Sequence, residues 1–188
     1  MLALFAACRS GNDTVLPTAT VPTAPETTTT TNPYAIPPVI DGAYVSRIVA
    51  GLDAITGDVV RLIVSTKTIP REAFDRLRAI YVTDAGVDRE LALYSEQLPQ
   101  GLSGYRPNPG NKVTKVVEVI TPGQSCVFAR VDRDFTAVGL RGAASVTQWI
   151  ALRPTDPARD PQGYNLTGWG YQVEGTSEQG TAPRNPCV

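Results

Sequence analysis

The chain has 188 residues, 42% of them hydrophobic, with a formal net charge of −1 and no histidine. That length and apolar share suit one folded domain with an appendage, while the interspersed acids and bases form neither a basic patch for nucleic acid nor an acidic tail. Without histidine the usual general base, the commonest zinc ligand and the Ser/His and Cys/His nucleophile pairs are missing, so neither a metal site nor a cofactor is expected.

Residues 1–8 end in Leu4-Phe5-Ala6-Ala7-Cys8, an apolar run closing on small residues before a cysteine. A bacterial lipoprotein signal has this form, because the processing enzyme needs a narrow backbone and the thiol must accept diacylglycerol. On this reading residues 1–8 are a truncated signal peptide with its lipobox, and lipid on Cys8 anchors the protein to a membrane. Phe5 is bulkier than the usual residue there, the positively charged n-region is missing, and the run before Cys8 is short for an h-region and far too short to span a bilayer. A translation start upstream of Met1 is one account of the last two. The alternative is a frayed apolar terminus with a coincidental cysteine.

Residues 9–38 are dominated by Thr and Pro with little apolar content, too little to offset the entropy of ordering. They are expected to form a disordered or polyproline-like tether, which at about 3.1 Å per residue reaches roughly 90 Å. Its Thr/Pro composition suits a glycan acceptor but does not establish modification.

The folded domain is expected over residues 39–175. From Asp41 to about Thr66, Val45, Ile48, Val49, Leu52, Ile55, Val59, Leu62 and Ile63 recur mostly at spacings of three and four, one face of a long helix, with a bend expected at Gly51 or Gly57. Pro70 suits the first turn of a second helix that buries Phe74, Leu77, Ile80 and Tyr81. Thr83 or Asp84 caps a third, with Val87, Leu91, Tyr94 and Leu98 a turn apart and a stop at Leu98-Pro99-Gln100-Gly101.

The period then becomes strand-like. Strands are expected over Lys112–Thr121, Ser125–Ala137 (with Val127, Ala129 and Val131 alternating), Ala144–Arg153 and Tyr164–Val173. In the third, Val146, Gln148, Ile150 and Leu152 share one face and Thr147, Trp149 and Ala151 the other. Helices first and a meander after them is an α+β order.

This element order resembles the NTF2-like (SnoaL-like, cystatin-like) cone, N-terminal helices packed on a curved four-stranded antiparallel sheet, in the cell-envelope lipoprotein form common in actinobacteria. The resemblance covers about residues 40–175 and implies an apolar pocket between sheet and long helix, used for isomerase or dehydratase chemistry in some members and for binding or assembly in many. An isomerase-type site needs a carboxylate in an apolar pocket with a tyrosine or a protonated acid nearby. The strand acids Glu118, Asp132 and Asp134, interleaved with Arg130 and Arg133, read instead as a solvated face with cross-strand ion pairs. Tyr105, Tyr164 and Tyr171 read as pocket or core residues, and no catalytic residue is assigned.

Trp149 and Trp169 either line a pocket mouth with Tyr171 and Tyr105 or pack in the core. Gln148, if it points inward, needs a partner or a ligand. With Cys8 given to lipid, Cys126 and Cys187 are expected to form a disulfide that staples the tail, residues 176–188, onto the second strand. Asn165-Leu166-Thr167 matches a glycosylation sequon and reads as chance.

The leading expectation is a non-catalytic extracytoplasmic lipoprotein, on the outer face of the cytoplasmic membrane or in the envelope, that binds a small apolar ligand or an envelope protein. The alternatives are an isomerase or dehydratase acting on a lipid-like molecule, and an assembly module of a secretion or transfer apparatus. A homodimeric sheet face or an exposed apolar patch would favour the last.

Overall fold

The Asp41 carboxylate accepts the Tyr44 amide at 2.7 Å and so caps helix α1, Gly42–Thr66. The computed structural model describes Asn32 and residues 34–139, 145–175 and 184–188. The expected lipobox with Cys8 and most of the expected tether, residues 9–38, lie outside the described residues, as do residues 176–183 of the expected tail.

The expected apolar face of α1 is its buried face, with Val45, Ile48, Val49, Leu52, Val59 and Ile63 at 1% exposure or less. Burying each such side chain contributes roughly 1.5–3 kcal/mol. The two glycines admit close neighbours: a Cβ on Gly51 would meet Thr167 Cγ2 at 2.6 Å, and one on Gly57 would overlap Asn111 Oδ1. The helix ends at Lys67, whose left-handed backbone (φ 53°) returns its N–H to Ile63 O.

Helix α2, Arg71–Ile80, buries Ala73, Leu77, Ala79 and Ile80. Tyr81 follows it and bridges in parallel to Tyr171. Helix α3, Asp84–Gln97, is capped by Thr83, whose hydroxyl accepts from Gly86 N. It continues as a short 3-10 turn, Leu98–Gln100, stopped by left-handed Gly101.

Strands β1 (Val113–Pro122), β2 (Val127–Asp134), β3 (Ser145–Pro154) and β4 (Trp169–Gly175) form an antiparallel sheet in sequence order. The protein is thus α+β, three helices packed on a four-stranded antiparallel sheet. The core lies between the layers, where Val127, Ala129, Val131, Ile150, Leu152, Trp169 and Tyr171 meet the helices. On the opposite face Phe128, Trp149 and Ala151 form a smaller cluster packed against Cys187. The Cys126–Cys187 disulfide is present, and Asn185 Nδ2 donates to Thr121 Oγ1 while Arg153 donates to Pro186 O. The chain terminus is thereby held at the sheet.

Two strand boundaries differ from expectation. β2 stops at Asp134 instead of Ala137, because the Asp134 carboxylate accepts the Thr136 amide at 2.7 Å and turns the chain. β4 starts at Trp169 instead of Tyr164. The Asp160 carboxylate takes the amides of Tyr164 and Asn165, and Asn165 Nδ2 donates to Ala79 O and Trp169 O. These bonds divert the backbone from a ladder and commit the amide nitrogen of the Asn165 sequon to the fold.

A third difference concerns Arg133. The interleaved acids and bases place it on a solvated face, yet it continues the inward parity of Val127, Ala129 and Val131 and is 1% exposed. Arg130 and Glu118 do form an exposed cross-strand pair at 3.5 Å, and Asp132 accepts from Thr147 Oγ1.

Candidate functional site

Helix α3 does not close over the whole inner face of the sheet. A cavity of about 550 Å³ opens between α1, α3 and the ends of β2–β4. Val60, Leu93, Phe135 and Val138 supply apolar wall, and Leu93, 53% exposed, stands at the rim. The volume falls within the range of small-molecule pockets.

Polar groups converge on it. Glu90 projects from α3 one turn from Tyr94 and accepts from the Tyr94 hydroxyl at 2.7 Å and, through its other oxygen, from the Tyr81 hydroxyl at 3.2 Å. Tyr105 packs its ring beside that of Tyr94, centroids 6.2 Å apart. Lys112, just before β1, lines the cavity with its Nζ 3.7 Å from Asp53 Oδ1 of α1. Behind the cavity Arg133 donates to Gln148 Oε1 and to the Tyr171 hydroxyl, both at 3.0 Å, and its guanidinium and the Lys112 ammonium both lie within cation–π distance of the Tyr171 ring.

Burial sets the protonation behaviour. It pushes the phenols of Tyr81 and Tyr94 well above the ordinary tyrosine value, with the Glu90 charge adding to the effect. Tyr105 is pushed up to about 12 by burial and then by Glu90. Tyr171 is also raised by burial. Burial lowers Lys112, and the Arg133 charge lowers it further. At neutral pH these four phenols are therefore uncharged donors.

Of the residues singled out from sequence, Gln148 and Tyr105 line the cavity. Tyr171 is buried behind it, bonded to Arg133. Neither tryptophan forms a pocket mouth: Trp149 lies on the opposite face with Phe128, and Trp169 is in the core with its Nε1 donating to Tyr44.

Sequence reasoning missed Glu90, Lys112, Asp53 and Arg133. Glu90 carried a signal, since it falls three residues after Val87 and four before Tyr94, on the buried face of α3. Arg133 and Lys112 carried one too, each being in step with the inward residues of its strand.

No protein-family model, curated protein or solved structure matches this chain.

Proposed function

We propose that residues 39–175 form a non-catalytic binding domain of the NTF2-like type, which takes a small, largely apolar molecule. Lipid on Cys8 and the 9–38 tether hold it outside the cytoplasmic membrane. The observation that carries the binding reading is the cavity itself, about 550 Å³ with apolar walls and a few convergent polar groups. Helix-first element order supports the NTF2-like assignment.

The test is native mass spectrometry and organic extraction of protein made in an actinobacterial host with its native upstream sequence. Wild type is expected to carry a small molecule, and Ala85→Trp, which fills the mouth from an exposed position on α3, is expected to lose it. If nothing small is retained, an envelope protein becomes the ligand to seek. Intact mass and detergent partitioning of wild type and Cys8→Ala test the anchor: only wild type should carry diacylglycerol.

A second reading, isomerase-type proton transfer, is favoured by one observation, a carboxylate in this cavity beside tyrosines. Both Glu90 oxygens already accept phenolic hydrogens, which makes binding the primary reading. Proton transfer predicts protein-dependent exchange of solvent deuterium into the α-position of a ketone probe, abolished in Glu90→Gln.

A further inference from the structure

We propose that the cavity recognises an uncharged carbonyl oxygen through the side-chain amide N–H of Gln148, so that its ligand is a ketone, ester or amide with an apolar body. This deepens the binding reading above and rests on it.

Gln148 pairs in register with Val131, which is fully buried on the inner face, and Gln148 lines the cavity. Its Oε1 accepts from Arg133 Nη1 at 3.0 Å. A guanidinium has five donors and no acceptor, so chemistry fixes which end of the amide faces Arg133. The oxygen must point to the arginine, and the NH₂ group must point away. Arg133 is 1% exposed and spends Nη2 on the Tyr171 hydroxyl, which keeps the amide from turning over.

Among the described residues no hydrogen-bond acceptor meets Gln148 Nε2. A donor held in this orientation at the wall of a mainly apolar space is satisfied by an acceptor brought in by a ligand. Tyr105, also on the wall, offers a second neutral donor, its hydroxyl making no hydrogen bond to a described residue. Neither donor is charged, the Glu90 carboxylate shares the cavity, and Lys112 is held beside Asp53. An uncharged carbonyl fits this set better than a carboxylate, which Glu90 would repel.

The test compares acetylnaphthalene with ethylnaphthalene, which has a similar size and no carbonyl oxygen, by fluorescence titration of the full-length protein. Wild type is expected to prefer the ketone by roughly three- to tenfold, the worth of one net hydrogen bond. Gln148→Glu keeps an acceptor for Arg133 but removes the N–H, and Gln148→Met removes both without charge. Each is expected to lose the preference, read as the ratio of the two probe affinities within that variant. Equal binding of both probes by wild type, or a preference that survives in both variants, overturns the carbonyl assignment and leaves the binding reading standing. If neither probe binds wild type, the binding reading and the carbonyl assignment fall together.

Discussion

The indole N–H of Trp169 donates to the Tyr44 hydroxyl at 2.9 Å across 125 residues of chain, and that hydroxyl in turn donates to Tyr34 O at 3.0 Å. Both side chains are at most 2% exposed and their rings meet edge to face. The chain ties β4 to α1 and to the segment entering it. Tyr44→Phe leaves a buried indole N–H without its acceptor and is expected to cost about 1–3 kcal/mol. Trp169→Phe adds lost volume and is expected to cost about 2–4 kcal/mol. In urea unfolding the double variant should be less destabilised than the sum of the singles, because both remove the same bond.

The tyrosines around Glu90 make an alkaline prediction. In the unfolded chain they ionise near the ordinary value of 10.0, whereas Tyr81, Tyr94, Tyr105 and Tyr171 are all raised in the fold. Above pH 10 the unfolded state therefore binds fewer protons than the folded one, and these groups make stability fall as pH rises. Phenolate absorbance should show a late step near 12 that is missing in Tyr105→Phe. A Tyr105 that titrates at the ordinary value would contradict its packing against Tyr94 beside Glu90.

The disulfide closes a loop of 61 residues between Cys126 and Cys187. In the chain-entropy model a loop of that size is worth about 4 kcal/mol. Replacing both cysteines by alanine should lower the guanidinium midpoint accordingly. It should also expose the Phe128–Trp149–Ala151 cluster that packs against Cys187, red-shifting the Trp149 emission in a Trp169→Phe background.

Much of this fold was legible because periodicity is a local property. Val45 to Ile63 advertise α1, and the Leu98-Pro99-Gln100-Gly101 stop and the β1 and β3 runs fall within a residue or two of their observed limits. Only the start of β4 escapes the local pattern, because the bonds that hold Tyr164 and Asn165 off the ladder come from Asp160, and the Asn165 amide reaches as far as Ala79. No window of local pattern contains that contact. The site was less legible for a different reason. Arg133 and Lys112 occupy inward positions, but a charged residue in a strand is assigned to solvent unless its buried partners are known. Those partners, Gln148 and Tyr171 for Arg133 and Asp53 for Lys112, come from distant elements.

Lys112 and Asp53 give the sharpest energetic prediction. Both are buried, at 7% and 3% exposure, with Nζ 3.7 Å from Oδ1, and that oxygen makes no hydrogen bond to a described residue. Lys112→Met removes the ammonium beside a buried carboxylate and is expected to cost about 3–5 kcal/mol, whereas Asp53→Leu with Lys112→Met should recover much of it, since apolar side chains replace the pair. The pH dependence separates this charge effect from packing. The folded value of Lys112 lies below the ordinary 10.5, so between the two values the unfolded chain binds the extra proton and stability rises with pH. The burial cost of the Lys112 ammonium therefore offsets most of its pairing with Asp53 at low pH, and that cost fades as pH approaches 10.5. Unfolding midpoints measured from about pH 7 to about pH 10 should show the gap between wild type and Lys112→Met widening with pH. A gap that stays constant would mean that the ammonium titrates at its ordinary value in the fold and that the loss in Lys112→Met is one of packing.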